Sequence, residues 1–233
     1  KNARLKYNFL MRMRRKSRLD ERITECGEHL LITEGSDFYK KSEQEKYDLI
    51  DLKQVFGNDN PVMLEIGCGK GGFAFKIAEK YPETNFLAVE KISNVIIEAC
   101  EKADKEKPKN LRFINIAAEN LLYYLGEHSI SRVFLNFSCP YPKYTYRNRR
   151  LTYFRYLDIY KKLLVNGGEI HLKTDNRGFF EFSIQSLSEN GFILKNISLD
   201  LHAEDLTDNI ETEYEKMFVA QGKPIYRLEA YLR

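Results

Sequence analysis

VMLEIGCGKGGF, residues 62–73, reads as a short buried strand that runs into a glycine-rich turn and then a helix. The apolar run at its start suits a strand covered on both faces. Gly67, Gly69 and Gly71 let the backbone turn tightly and approach a ligand with no Cβ in between. The segment after them offers the unsatisfied N–H groups of a helix start. Gly67, Gly69 and Gly72 also match the GxGxxG spacing of nucleotide-binding turns, a pattern that is weak by itself. Lys70 is followed by glycine, and a phosphate-binding P-loop needs Ser or Thr there.

Working outward, the same alternation recurs. Further β-rich runs lie at 85–90, 111–116, 132–137 and 169–174, and helical patterns at 72–80, 92–105, 118–125 and 150–164 separate the runs. Strand and helix in turn predict an α/β fold whose sheet is mostly parallel, with helices on both faces. FILKNISLDL and PIYRLEAYL flank a helical stretch near 211–220 and predict an antiparallel finish. Upstream, residues 43–56 carry Tyr47, Ile50, Leu52 and Val55 near one helical face. With no repeat or low-complexity linker, the expectation is one domain over 43–233, preceded by a basic arm over 1–42.

Bulk properties narrow the function classes. A chain of 233 residues with 43% hydrophobic and 30% charged side chains can bury one core. Its apolar runs are far too short to span a membrane, and no secretory signal pattern is present. Cys26, Cys68, Cys100 and Cys139 are scattered, with no spacing suited to zinc. No metal is expected, and reduced thiols suggest the cytoplasm.

The net charge of +3 is unevenly spread. Residues 1–18 hold eight basic side chains and no acid, and residues 143–155 hold five more, again with no acid. Without those thirteen cations the remainder carries −10. Two basic islands on an acidic body suggest a polyanionic partner. The bland alternative is a solvated tail and a charged helix face.

In a sheet of this kind ligands bind beyond the C-terminal strand ends. Glu90 ends the second run, where a carboxylate can accept from both hydroxyls of a ribose. Glu65, two residues before the first glycine, would repel a pyrophosphate and attract a cationic amino group. That favours S-adenosylmethionine over a nicotinamide dinucleotide. Ala117, Ala118 and Glu119 end the third run and suit the edge of an adenine. The fourth ends in LNFSCPYPK (135–143), where two prolines stiffen a loop whose Asn136, Ser138 and Cys139 would face a transferring group. Asp175, after the fifth run, either reads a substrate or caps the next helix.

Taken in order, EIGCGKGGF, NFLAVE, LNFSCPYPK, RRLTYFRYL, EIHLKTDNRGFFEFS, LDLH and TEYEKMF…QGKPIYR resemble the bacterial tRNA (guanine-N7)-methyltransferases, and MRMRRK at 11–16 is similar to that family's N-terminus. The likeness runs from Met11 to the C-terminus. It implies a Rossmann-like class I methyltransferase that uses S-adenosylmethionine and methylates N7 of a guanine in the tRNA variable loop. By matching positions, Glu65, Gly67, Gly69, Glu90, Ala117, Ala118, Glu119 and Cys139 would line the cofactor site. Lys143, Asp175, Thr212, Glu213, Tyr214 and Glu215 would contact the substrate, with Arg149 and Arg150 near RNA phosphates. Cys139 and Asp175 occupy the positions nearest the chemistry. Oligomeric state is left open, a homodimer among the options.

The chain departs from that family at telling places. Cys139 stands where the family has the aspartate usually given the catalytic role, and Tyr141 stands for its tryptophan. Ala117 replaces an acid, and Lys143-Tyr-Thr-Tyr replaces a KKRH run. Guanine N7 carries a lone pair and no proton, so the reaction needs alignment and charge balance and has no need of a base. Asp175 or Glu215 is expected to supply the charge that Cys139 lacks. A thiolate adduct has no place in N7 chemistry, which makes Cys139 a packing thiol. Two other readings compete: methylation of an exocyclic amine, and a tRNA-binding relative weakened in catalysis.

Overall fold

The computed structural model describes residues 14–31, 49–204 and 208–232. Each β-rich run becomes a strand. β1 (Leu30–Leu31) precedes β2 (Val62–Ile66), β3 (Asn85–Val89), β4 (Leu111–Ile114), β5 (Ile130–Asn136), β6 (Leu164–Thr174), β7 (Phe192–Ser198) and β8 (Tyr226–Leu232). They form one sheet in the order β1-β4-β3-β2-β5-β6-β8-β7. From β1 across to β6 every neighbour is parallel, and β8 runs antiparallel to both β6 and β7. The α/β class, the mostly parallel sheet and its antiparallel finish are as the pattern predicts. β2 lies between β3 and β5, so the strand order reverses beside it, and the crevice of such a sheet opens there.

The helices are α1 (Leu19–Glu25), α2 (Leu52–Phe56), α3 (Gly72–Lys80), α4 (Ser93–Glu106), α5 (Leu121–Tyr124), α6 (Phe154–Leu163), α7 (Arg177–Glu189) and α8 (Glu213–Ala220). Alternating strand residues feed two cores, one on each sheet face. Leu64, Leu87, Val133 and Leu172 pack with Tyr156, Leu157, Tyr160 and Phe180 of α6 and α7. Phe86, Phe113 and Phe134 pack with Phe73, Ile77, Ile96 and Cys100 of α3 and α4.

Two expectations shift. The helix expected over 43–56 is only Leu52–Phe56 among described residues, capped by Asp51, whose Oδ1 accepts from Gln54 N at 3.0 Å; Tyr47 lies outside them. The helix expected from residue 150 begins at Phe154. Thr152 explains the delay, because α7 claims it: its hydroxyl is 2.8 Å from Ser183 Oγ and its carbonyl accepts from Ser186 Oγ at 2.6 Å. That tie holds 150–153 out of helical register, and Tyr144–Arg149 forms a 3₁₀ turn instead.

The described part of the basic N-terminal segment is docked on the sheet domain. β1 adds a strand beside β4, and Arg22 grips Glu101 of α4 through two bonds of 2.6 and 2.8 Å. Lys16 pairs with Glu98 at 2.5 Å, Arg15 with Asp20, and Arg18 with Glu21. These three cations of the first island are therefore already partnered by acids. Lys1, Arg4, Lys6 and Arg12 lie outside the described residues.

α8 is anchored through a buried ion pair. Lys173 at the end of β6 donates to Glu215 Oε2 at 2.6 Å, and both side chains are almost wholly enclosed. Lys173 also donates to Asn209 Oδ1 and the Ile210 carbonyl at 3.0 and 2.9 Å. Glu215 accepts from Asn209 Nδ2 at 2.6 Å and contacts His202 Nε2 at 3.0 Å, and it completes a capping box with Thr212. Burial pushes the Glu215 carboxyl up, but Lys173, Asn209 and His202 together outweigh it and hold the group below its usual range. Such a pair punishes the loss of one partner far more than of both. Lys173→Met is expected to cost about 3–5 kcal/mol in urea unfolding. Lys173→Met with Glu215→Met should recover most of that loss; a single variant within about 1 kcal/mol of wild type would refute the anchor.

Candidate active site

Glu65 closes β2 and is only 3% exposed. Its Oε1 accepts from Asn136 Nδ2 of β5 at 3.0 Å, while Oε2 is buried with no partner. Burial pushes this carboxyl up to about 7, against the pull of Asn136 and Lys173. A half-satisfied acid below the glycine turn is costly to keep unless something cationic reaches it.

The turn itself is open above. Gly67 and Cys68 donate to the Val89 carbonyl at 2.7 and 3.0 Å, which ties the turn to β3. Gly69 has φ +59°, and a Cβ there would meet nothing within 4 Å. Gly71 differs: at φ +78°, its Cβ would lie 3.0 Å from Ala99 Cβ and 3.2 Å from the Phe113 ring. Gly69 thus keeps backbone open to the crevice, whereas Gly71 lets α3 settle on the core.

Glu90 reaches back across this turn. Its Oε2 accepts from Gly69 N at 3.3 Å and its Oε1 from Ile92 N at 3.0 Å, just ahead of α4. It thereby ties the glycine turn to the segment that leads into α4, which has no side-chain cap. Ala117 leads into a 3₁₀ turn over Ala118–Asn120. The Glu119 carboxylate is engaged by α6, accepting from the Tyr156 hydroxyl at 2.7 Å and Arg155 Nη2 at 3.2 Å. That engagement was not legible in the residues after β4.

The loop after β5 is braced by its own arginine. Phe137 and Tyr141 hold φ of +49° and +41°, a left-handed backbone that bulky residues rarely adopt. Arg150 donates through Nε to the Pro140 carbonyl at 3.0 Å and through Nη2 to the Tyr141 carbonyl at 3.1 Å. Its guanidinium also lies 4.5 Å over the Phe182 ring. Arg150, expected near RNA phosphates, thus uses Nε and Nη2 to brace the loop. Cys139 is a free, half-buried thiol at the bend. Burial raises the Tyr141 phenol, as does Cys139 beside it. The Ser138 hydroxyl is buried without a partner.

α8 approaches from the other side. Tyr214 stacks on Phe137, ring centroids 6.4 Å apart, and Phe218 packs on both. A Cβ at Gly72 would sit 3.2 Å from Glu213 Oε1, which places that acid at the start of α3. Thr212 is the N-cap of α8, its hydroxyl accepting from Glu215 N at 2.9 Å. Glu215 itself is fully buried against Lys173. Unlike Glu65, it has both oxygens engaged, by Lys173, Asn209 and His202, so it is tied inside the protein and not at the substrate-facing place expected of it. Asp175 remains: its Oδ2 accepts from Lys223 Nζ at 3.1 Å. It does not cap α7, because Asn176 does so through Phe179 N at 2.8 Å. Lys143 and Arg149 are exposed on the turn that follows.

Beside the crevice lies a cavity of about 330 Å³ that shares Asn136 and Lys173 with it. Arg132, Glu169, His171, Lys195, Arg227 and Glu229 line its far part as a mutually paired charge network. Sequence reading missed this network, since alternation along β5, β6 and β8 marks a face but not what covers it.

A methyltransferase family model, Methyltransf_4, matches residues 59–228. Among solved structures, the 16S rRNA methyltransferase KamB is 15% identical, with 81% of this chain and 96% of that one covered and a TM-score of 0.60. The 30S ribosomal A1408 methyltransferase from an uncultured bacterium is also 15% identical, over 81% and 95%, at 0.54. Geranyl diphosphate C-methyltransferase from Streptomyces coelicolor A3(2), solved with Mg²⁺, geranyl diphosphate and S-adenosyl-L-homocysteine, is 14% identical over 75% and 74%, at 0.51. At such identities these structures establish the fold they share with this chain, that of class I Rossmann-like methyltransferases.

The glycines separate packing from ligand access. Gly71→Ala is expected to lower stability by about 2–4 kcal/mol, combining left-handed strain with an overpacked contact. Gly69→Ala should cost only the backbone part, about 1–2 kcal/mol. Equal losses in denaturant unfolding would show that Gly71 is not a packing position.

Proposed function

Since the chain belongs to the Methyltransf_4 family, the family of tRNA (guanine-N7-)-methyltransferases, we propose that it moves a methyl group from S-adenosylmethionine to N7 of a guanine in tRNA. The observation that carries this reading is Glu65, a buried carboxylate with one unpartnered oxygen below an open glycine turn. The residues present fit the cofactor. Glu65 would hold its amino group, Gly67 and Gly69 would let its chain pass, and Glu90 would take the ribose hydroxyls. Ala117 and Ala118 leave room for the adenine edge, and Cys139 closes the methyl end. S-adenosylmethionine supplies a methyl group activated by a sulfonium.

What the protein must add is alignment and charge. N7 attacks through a lone pair in the purine plane, so no side chain has to remove a proton first. The braced loop at 137–143 fixes where a planar base can rest, and Phe137, Tyr214 and Phe218 supply an aromatic wall. As N7 bonds, the purine becomes cationic, and an acid nearby favours that state. With no carboxylate at Cys139 and Glu215 enclosed, Asp175 and Glu213 are the acids near the crevice left to contribute, and Asp175 follows β6 directly. Lys143 and Arg149 favour a phosphate-bearing substrate, which supports RNA over a small acceptor.

A second reading has its own observation: Cys139 and Ala117 stand where acids would be expected, so the chain could be a tRNA-binding relative with weak catalysis. Transfer of tritiated methyl to unmodified tRNA, followed by nucleoside identification, separates the readings. The proposal predicts 7-methylguanosine, at a site cleavable after reduction and aniline. A methylated exocyclic amine would overturn it, and no transfer together with no binding of the cofactor would favour the second reading. Asp175→Asn is expected to lower kcat by about 10²–10³ while leaving the unfolding midpoint in place. Unchanged kcat would remove Asp175 from the chemistry.

A further inference from the structure

The second basic island is laid out unlike a plain phosphate-binding patch. Of its cations, Arg150 is spent on the loop carbonyls and Arg155 on Glu119. Lys143, Arg147 and Arg149 are left, and no ion pair engages them among the described residues. Arg147 lies 4.0 Å over the Tyr144 ring and Arg149 lies 4.8 Å over Tyr146. Tyr144 is 73% exposed and Tyr146 42%, so each arginine covers part of a ring that is otherwise open to solvent. Apolar residues exposed singly need no explanation, whereas adjacent ones form a patch. Here two come together, each with a guanidinium alongside, in the 3₁₀ turn that directly follows the loop of Cys139.

We propose that Tyr144 and Tyr146 form a stacking platform for unpaired nucleotides that flank the target guanine. This rests on the tRNA reading above and specifies how that site engages its RNA. A guanidinium against one ring face leaves the opposite face for a base, giving an Arg–Tyr–base sandwich, and the same cation stays near the phosphate attached to that base. Stacking on an exposed ring demands a base free of its helix, so the platform selects single-stranded or splayed RNA over duplex. It is also indifferent to salt, unlike phosphate contacts. The sequence Lys143-Tyr-Thr-Tyr thus replaces charge with ring surface where the resembling family carries KKRH. A protein partner would use the same rings differently, and the measurement below separates the two.

The test is binding of the full-length protein to an unmodified tRNA transcript and to a fully paired RNA duplex of similar length, by fluorescence anisotropy from 50 to 300 mM KCl. Tyr144→Ala with Tyr146→Ala is expected to weaken tRNA binding at least about fivefold at every salt concentration, with an unchanged salt slope. Duplex binding should not move, and the Tyr→Phe pair should retain wild-type affinity, since Phe keeps the ring. Arg147→Ala with Arg149→Ala should instead flatten the slope by up to about two. Unchanged tRNA affinity in the Tyr→Ala pair, or an equal loss for duplex, would overturn the platform while wild-type binding and methyl transfer kept the parent reading intact. If the wild-type protein bound no RNA at all, both would fall together.

Discussion

A carboxylate held in a dry place at the turning point of the sheet sets the terms for everything around it. Glu65 sits at the end of β2, where the strand order reverses, and is nearly inaccessible to water. Desolvating a carboxylate costs several kcal/mol unless partners replace the lost water. Asn136 replaces half of it, and Lys173 contributes at longer range. The parallel register, with Glu65 opposite Phe134, puts Asn136 within reach from the next strand. The other oxygen is left unsatisfied, a deficit that a cationic ligand would relieve.

Around that acid, two braces keep the walls in place. Lys173 extends the row from β5 to β6 and locks α8 through Glu215, which positions Tyr214 and Glu213 over the crevice. Arg150 reaches back from beyond the 3₁₀ turn and holds the carbonyls of the proline loop, stabilising the left-handed Tyr141. In both cases a charged residue that looks available for a substrate is consumed inside the protein. The polar groups left around the crevice are correspondingly few: Glu213, Asp175 beside Lys223, Lys143, Arg147, Arg149 and the exposed rings next to them.

Much of this was legible in the sequence. The α/β class, the seven strands from Val62 onward and the positions of Glu65 and Glu90 at strand ends beside the glycine turn follow from periodicity and glycine placement. What was not legible depends on contacts distant in sequence. Nothing local tells that Arg150 folds back on Pro140 while Arg149, its neighbour, stays in solvent. Glu215 looks like an exposed first-turn acid and is enclosed only because Lys173 arrives from another element. Thr152 delays α6 because Ser183 and Ser186 lie on α7. The basic N-terminal stretch reads as an arm whose contacts the sequence leaves open, and acids on α4 hold its described part to the sheet edge. Charge in a sequence reports what a residue can do, and packing decides with whom.

The central claim is that Glu65 binds the cationic end of the donor, and proton linkage measures it directly. With its carboxyl raised to about 7, Glu65 is largely protonated in the free protein below that pH and must ionise to receive an ammonium group. Calorimetric titration of S-adenosylhomocysteine, in buffers of different ionisation enthalpy, should show a proton released on binding at pH 6 and almost none at pH 8.5. Affinity should rise by up to about tenfold per unit as pH approaches 7 from below and then level off. Glu65→Gln should bind more weakly at pH 8 and lose the linkage. Proton release and affinity that stay the same from pH 6 to 8.5, or a Glu65→Gln variant that binds as wild type does, would contradict the account.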